Sequence, residues 1–446
     1  MLPIALSIAG SDPTCGAGAG ADVLTFNSLK TYGLQVLTAL TAQTVGRVTG
    51  IQSVNDEMFS EQMETVFSNF NINSAKTGLI STPHQVKLIA EYTEKYCVPL
   101  VVDPVINASD GTVFTETETV KQLVKELYPK AMILTPNIPE AELITGCKIK
   151  DLNDLVEASD LLLKLNIPAV LIKGGHLDSG SEVFDLLNIK GEMKIFKKSR
   201  APVGKVHGTG CVLSAAITAY IANRCSLSEA VMRAEEYFSE VIQYPLLLGG
   251  DSKVLQPNKL LVDAAERLDV LNELNYANKT LISISKILSP YLDEESSLAF
   301  SISRQSRLKD VAALSLKRKF SKENGVVSDC PMFGLDDLAS KVILGVKKYF
   351  PHIRAAFNIY AEKEVDKYLR QNSDLQFIEF QSKYYQAKNL ELVDELNTYF
   401  KTRKTGHIAD AIIINAEGSP KRIIILGVNT FEILYKFLNI LKKIKK

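Results

Sequence analysis

The 446-residue chain lacks most of the features that would sort it into a class at first reading. It carries no excess of either charge: 51 basic side chains stand against 51 acidic ones. A nucleic-acid scaffold shows a basic surplus, so no nucleic-acid partner is expected. The basic end, Lys442-Lys443-Ile444-Lys445-Lys446, is short and reads as a solvated terminus. A basic leader with a small-residue cleavage site is missing, because Met1-Leu2-Pro3 runs straight into apolar sequence. No run approaches the ~20 apolar residues of a membrane span. The six cysteines (Cys15, Cys97, Cys147, Cys211, Cys225, Cys330) are scattered, with no C-x-x-C pair. That pattern argues against a zinc site and a disulfide framework. A reduced, cytoplasmic protein without a membrane partner is the expectation. The common nucleotide loops are missing too. There is no G-x-x-x-x-G-K-[ST], and the glycine-rich stretch after the first apolar run is spaced G-x-G-x-G rather than G-x-G-x-x-G.

What is present is an alternation. Short apolar runs at 3–9, 98–102, 131–134 and 169–172 suit strands buried on both faces. Between them lie helical patterns at 21–32, 119–127 and 152–165, and one long alanine-rich helix is expected from Gly210 to about Tyr244. Strand–helix alternation implies βαβ units and a mostly parallel sheet. After a break at 246–252, residues 256–290 read as a helical connector. A second α/β region then opens with a strand at 297–301, followed by a helix near 336–350 and strands near 353–359, 411–414 and 423–426. The length allows two or three domains, and the boundary is expected near 265, giving regions 1–265 and 266–446.

Ligands of open parallel sheets bind beyond the carboxyl ends of the strands. Four glycines follow the first run between Gly10 and Gly20, with Asp22 near a helix start. Glycine permits close backbone approach, although a turn with a capping aspartate explains the same residues. Asp103 ends the run at 98–102, where a carboxylate can hold Mg²⁺. Thr135, Asn137 and Glu140 follow the run at 131–134. Asn137 and Glu140 could order metal-bound water or form a capping box. Lys173 and two glycines follow the run at 169–172 and could approach a phosphate. Gly208, Thr209, Gly210 and Cys211 open the alanine-rich helix, where backbone N–H groups and the helix dipole favour an anion. A thiol in that first turn is expected to have a pKa below its usual ~8.5.

The stretches AGSDPTCGAGAGAD (9–22), TALTAQT (38–44), KTGLI (76–80), VVDPV (101–105), TPNIPEAELITG (135–146), IKGGH (172–176) and HGTGC (207–211) run in order across about 200 residues. Together they resemble the hydroxymethylpyrimidine/phosphomethylpyrimidine kinase family. The resemblance implies a ribokinase-like three-layer αβα domain, followed here by a smaller C-terminal α/β domain. It implies ATP and Mg²⁺ as cofactors, small-molecule pyrimidine substrates and a homodimer through the kinase domain. By resemblance, Gln43 would bind the aminopyrimidine and Asp22 the hydroxymethyl end, with Gly10 and Val105 lining the substrate site. Asn137 and Glu140 would organise Mg²⁺ with Asp103 nearby. Lys173 would approach ATP beside Thr135, and Gly208 to Cys211 would form the anion hole. The wider sugar-kinase group carries a catalytic aspartate where the pyrimidine kinases, and this chain, carry cysteine. A pyridoxal-type ring is the alternative substrate.

The tail resembles the archaeal-type thiamine-phosphate synthase domain. The carrying stretches are Leu308 to Ala313, Phe333-Gly334, Ile353 to Ile359, Ala409 to Ile412 and Ile425 to Gly427. The resemblance implies coupling of the pyrimidine diphosphate to thiazole phosphate, with Arg354, Asn358 and Asp410 as candidates. The chain departs from the pattern at Leu338, where the family has histidine, and at Tyr360, where it has arginine. The arginine near Lys317-Arg318 is of uncertain correspondence. His352 and His407 read as surface or packing residues. A module that only binds thiamine-pathway phosphates is the rival expectation.

Overall fold

The apolar runs become the middle of a sheet. In the computed structural model, strands β1 (Ile4–Ala9), β2 (Tyr32–Leu37), β5 (Ser74–Thr77), β6 (Leu100–Val102), β7 (Ile133–Leu134) and β8 (Ala169–Ile172) are parallel. β9 (Glu182–Ile189) and β10 (Glu192–Ser199) extend the sheet as an antiparallel hairpin, giving the order β10-β9-β8-β7-β6-β5-β1-β2. β3 (Ala39–Thr44) and β4 (Arg47–Ser53) form a separate two-stranded ribbon. The structure describes residues 2–107, 111–175, 177, 180–204, 206–249, 252–304, 307–319, 325–361, 363–371, 375–383, 391–402, 408–415 and 420–444. His176, His407, Lys445 and Lys446 lie outside them. The chain divides into two units, Met1–Leu261 and Val262–Lys446.

Side chains alternate across a strand, and this sorts the first unit into three layers. Leu6, Ile8, Leu100, Val102, Val170 and Ile172 face one core with Phe59, Met63, Ile89 and Leu155. Those partners come from helices α2 (Asp56–Asn69), α3 (Pro83–Lys95) and α6 (Leu152–Leu163). Ala5, Val101, Ala169 and Leu171 face the other side. There they meet α1 (Gly18–Ser28), α7 (Thr209–Ala222) and α8 (Leu227–Val241). The small α7 residues Ala215 and Ala219 let that helix lie close against β1 and Phe26.

The expected long helix from Gly210 to Tyr244 is two helices. Asn223 ends α7, Arg224 takes a positive φ of 66°, and Ser226 caps α8 by accepting the Glu229 N–H. A left-handed residue followed by a serine N-cap stops one helix and starts the next. Helix α4 (Thr117–Gln122) is shorter than read, and continues as a π-helical turn over Leu123–Leu127. Helix α5 (Ile138–Thr145) starts on a capping box and ends at Gly146 with φ 75°.

In the second unit the strand order is Gly325–Ser328, Val311–Lys319, Ser297–Ser301, Ala355–Tyr360, Arg422–Gly427, Ala411–Asn415, Phe377–Gln381. Only the last pair is parallel among the described residues. Leu298, Phe300 and Phe357 face Phe437 and the helix Lys259–Ser283. Ala299 and Ala356 face Val342 and Leu396 on the opposite side. Arg422 is among the largest fully buried side chains. Its guanidinium holds Asp293 Oδ1 at 2.6 Å and Glu295 Oε2 at 2.8 Å. Arg422→Ala removes the cation from both carboxylates. Those carboxylates are 31% and 50% exposed, so water takes up part of the loss. We expect about 2 kcal/mol of destabilisation, read as a lower urea midpoint for the second unit; an unchanged midpoint would contradict a stabilising role.

Candidate active site

The carboxyl ends of β1, β5, β6, β7 and β8 open on one cavity of about 550 Å³. The segment Gly10 to Gly18 forms one wall. Asp12 organises it by accepting the N–H of Thr14 at 2.9 Å and of Ala17 at 2.9 Å. The same carboxylate meets His207 Nε2 at 3.0 Å, which ties this loop to the start of α7. Two glycines are sterically required here. A Cβ on Gly208 (φ 83°) would lie 1.7 Å from the Gly16 carbonyl oxygen, and one on Gly18 (φ 60°) 2.4 Å from that of Gly10. The two loops therefore pack backbone on backbone, and the first turn of α7, whose N–H groups have no partner within the helix, lines the cavity.

The floor is charged. Lys76, in the middle of the sheet, is fully buried and lies 2.8 Å from Asp22 Oδ1 and 2.9 Å from Oδ2. Ser7 Oγ donates to the same carboxylate at 2.6 Å. Burial works against the Lys76 charge. Asp22, Cys211 and Asp103 together outweigh it and hold the ammonium above its usual range. Just past the end of β8, Lys173 Nζ lies 2.7 Å from Asp103 Oδ1. Thr135 and Ser214 donate to Asp103 at 3.3 and 3.2 Å. Burial opposes ionisation of Asp103 as well, but Lys173 and Lys76 keep its carboxyl below the usual range.

Most of the residues singled out in the sequence converge on this cavity: Gly10, Gln43, Val105, Asp103, Asn137, Glu140, Lys173 and Gly208 to Cys211 all line it. A register shift in the β3–β4 ribbon falls between Ala42 and Gln43, the kind of irregularity that re-aims a side chain. Two expectations need correction. Asp22 does not line the cavity: Lys76 does, and Asp22 stands behind it. Thr135 likewise stands behind Asp103. Lys76 was missed as a site residue although it lies in the quoted KTGLI stretch. A lysine between Ala75 and Thr77 carries no periodic signal of burial.

A third correction concerns Cys211. Its place in the first turn of α7 does not lower its thiol pKa. Burial pushes it up to about 11, against the pull of Lys76 and the Gly18 N–H. Asn137 and Glu140 do form the capping box: Asn137 N–H donates to Glu140 Oε2 at 2.8 Å, and Glu140 N–H to Asn137 Oδ1 at 2.9 Å. Burial, with Asp103 adding to it, raises the Glu140 carboxyl to about 7 against the pull of Lys173. A second cavity of about 580 Å³ shares Asn137, Lys173, Thr209 and Gly210 with the first, and is also lined by Asp185, Lys198, Arg200 and Phe238. Two joined spaces thus meet at the α7 N-terminus.

In the second unit, Arg354 and Asp410 flank one end of the strand Arg422–Gly427, through Arg354 N–H to Gly427 O and Leu426 N–H to Asp410 O. Asn358 does not join them. It is fully buried further along its strand and donates to the Glu295 carbonyl at 2.6 Å. Arg354 donates to Ser301 O at 3.0 Å and lies over Phe300, while Asp410 pairs with Lys436 at 2.8 Å. Leu338 packs in the core, Tyr360 is exposed, and His352 stacks edge-on against Phe350.

Residues 12–256 match the family model described as phosphomethylpyrimidine kinase, and residues 273–439 match that described as thiamine-phosphate synthase ThiN. The chain is 40% identical over 248 residues to the hydroxymethylpyrimidine/phosphomethylpyrimidine kinase of Rhizobium meliloti, covering 54% of this chain and 91% of that one. It is 40% identical over 245 residues to the thiamine biosynthesis bifunctional protein ThiED of Geobacter sulfurreducens, covering 55% and 50%. Among solved structures it resembles the pyridoxal kinase from Staphylococcus aureus in complex with AMP-PCP and pyridoxal. The TM-score is 0.53 at 30% identity, over 58% of this chain and 94% of that one.

The buried pair under the cavity gives a stability test. Lys76→Met leaves Asp22 buried with Ser7 as its remaining partner, and is expected to cost about 3–5 kcal/mol. Lys76→Met with Asp22→Leu is expected to recover most of that loss in a double-mutant cycle followed by thermal and urea unfolding. Additive losses would show that the two side chains do not act as a pair.

Proposed function

The chain belongs to the hydroxymethylpyrimidine/phosphomethylpyrimidine kinase family, and on that basis we propose that its first unit transfers the terminal phosphate of ATP to hydroxymethylpyrimidine and then to the resulting monophosphate. The observation that carries the reading is the junction of two cavities at a glycine-opened helix start, with Lys173 lining both and Lys76 lining the first. Phosphoryl transfer is mostly positioning and charge stabilisation. Here the donor would occupy the space lined by Lys198, Arg200 and Phe238, and the acceptor that lined by Gln43 and Val105. The transferring group would lie between them, against the N–H groups of Gly208 to Cys211. Gln43 would hydrogen-bond the aminopyrimidine.

Mg²⁺ suits the donor set beside that junction. Glu140 and Asp103 are two buried carboxylates, close enough for Asp103 to add to the rise of the Glu140 carboxyl, and Mg²⁺ is commonly held by one or two carboxylates together with substrate phosphates. Glu140, with Asp103 nearby, would hold it, and the ion would supply charge neutralisation at the phosphates. Lys173 would keep Asp103 ionised and Asn137 would fix Glu140 through the capping box.

The first phosphorylation must remove a proton from an alcohol, whereas the second uses a phosphate oxygen that is already ionised near neutral pH. With Cys211 as acceptor of that proton and its thiol pushed up to about 11, only a small fraction is thiolate at pH 7. The rate of the first step should therefore rise from pH 7 to 9.5 while the second stays nearly flat. Cys211→Ala should lower kcat for the first step by roughly a hundredfold or more and leave the second within a few-fold. Equal losses in both steps, measured with each acceptor separately, would remove Cys211 from the role. Pyridoxal belongs in the same assay, since the solved relative reported above binds it.

For the second unit, the match over 273–439 supports formation of thiamine phosphate from the pyrimidine diphosphate and thiazole phosphate. The core position of Leu338 and the exposed Tyr360 favour the other reading, a module that binds such phosphates without turnover. Incubating the full chain with both phosphates is expected to yield thiamine phosphate and pyrophosphate. Retained binding without product would assign the unit to sensing.

A further inference from the structure

The donor-side cavity carries a cluster that no step above uses. Asp185 on β9, Lys198 on β10 and Glu235 on α8 meet in the protein interior. Lys198 Nζ lies 2.5 Å from Asp185 Oδ2 and 2.5 Å from Glu235 Oε2, with side-chain exposures of 15%, 4% and 4%. Glu235 Oε1 is buried with no hydrogen-bond partner. The other oxygen of Asp185 accepts the Gly174 N–H at 2.7 Å. That turn is pressed onto β9, because a Cβ on Gly174 would fall 1.8 Å from the Phe184 carbonyl oxygen. The residue before it is Lys173, whose ammonium reaches Asp103 and stands 2.9 Å from where a Cβ on Gly210 would be. Asp185, Lys198 and Gly175 all line the cavity. The cluster thus reaches the site twice, through the wall it forms and through the turn it holds.

We propose that Asp185, Lys198 and Glu235 form a positioning unit for the nucleotide, which clamps the Gly174–Gly175 turn beside Lys173 and sets the charge of the wall that the phosphates approach. The inference rests on the kinase reading above. One ammonium shared by two carboxylates leaves the cluster at −1 when both are ionised and neutral when one holds a proton. Burial, with Asp185 adding to it, pushes the Glu235 carboxyl up to about 8. The charged groups facing Glu235 are Asp185 from β9 and Lys198 from β10. Helix α7, which also packs on α8, carries no acidic or basic side chain besides the Cys211 thiol and the Tyr220 phenol. As pH rises through 8, the wall gains a negative charge near a polyanion, and nucleotide affinity falls. A unit charge ~10 Å from a phosphate in partly shielded surroundings corresponds to roughly a tenfold change.

The test uses the full chain. ADP binding is measured by calorimetry at pH 7 and pH 9, together with the KM for ATP and the kcat, for the wild type, Glu235→Gln and Asp185→Asn. The wild type is expected to lose roughly tenfold in ADP affinity between the two pH values, with KM for ATP rising in parallel and, with the monophosphate as acceptor, kcat little changed. Glu235→Gln, which keeps the neutral form, should hold its affinity across the range. Asp185→Asn turns an amide toward Lys198 and should weaken ADP about fivefold already at pH 7, the size of one weakened hydrogen bond, while the KM for hydroxymethylpyrimidine stays unchanged. The same alkaline loss in Glu235→Gln as in the wild type, a flat wild-type profile, or an Asp185→Asn variant with wild-type affinity would each overturn the proposal. Wild-type turnover of hydroxymethylpyrimidine at pH 7 tests the kinase reading separately, and its absence would overturn both.

Discussion

The buried contact between Lys76 and Asp22 is the constraint on which the first unit depends. A lysine at the centre of a parallel sheet is tolerated only when its charge is answered on the spot, since each buried ion carries several kcal/mol of desolvation. Asp22 answers it from α1, and Ser7 from β1 adds a hydrogen bond. Because α1 begins at Gly18, the same contact fixes where the glycine loop must leave β1. The loop in turn meets Gly208 at a distance that excludes any side chain. One ion pair therefore sets the position of the loop, the helix start and the ammonium at the floor of the cavity.

A second layer of charge is built on the first. Asp103 faces two ammonium groups, Lys76 and Lys173, and stays ionised despite burial. Cys211 sits among the same groups and stays protonated, because burial, with Asp103 and Asp22 adding to it, outweighs the pull of Lys76. The contrast explains why one residue at this site can stay anionic and a neighbouring one cannot. It also separates the chemistry of the two acceptors: an alcohol must surrender a proton to a reluctant base, whereas a phosphate arrives without one.

The parallel sheet, its helices and the glycine-opened start of α7 were legible because they rest on local patterns. Continuous apolar runs mark β1, β6 and β8, and Gly208-Thr209-Gly210 marks a helix entry. What was not legible depends on partners distant in sequence. The strand Ser74-Ala75-Lys76-Thr77 has three polar residues of four, yet all four are buried; its core place comes from Asp22, 54 residues earlier. The resemblance implied a substrate-facing Asp22, but the direction of its side chain is set by Lys76. The lowered thiol expected for Cys211 rested on the helix dipole alone, and burial proved the larger effect. The break between α7 and α8 was hidden because alanine-rich sequence continues on both sides of a single left-handed arginine.

The second unit shows the same rule with a different outcome. Its sheet is secured by Arg422, which reaches Asp293 and Glu295 across more than a hundred residues, and by Asn358 donating to the Glu295 carbonyl. These polar groups have the burial expected of a site, but their partners are parts of the fold itself. Arg354 and Asp410 also spend hydrogen bonds on Ser301 and Lys436. In the first unit, by contrast, Lys76, Lys173 and the α7 N-terminus keep a face on the cavity after their internal partners are satisfied. Burial and pairing alone do not mark chemistry. A site is marked where paired charges still line a space large enough for a substrate, and on that criterion the kinase half carries the stronger assignment.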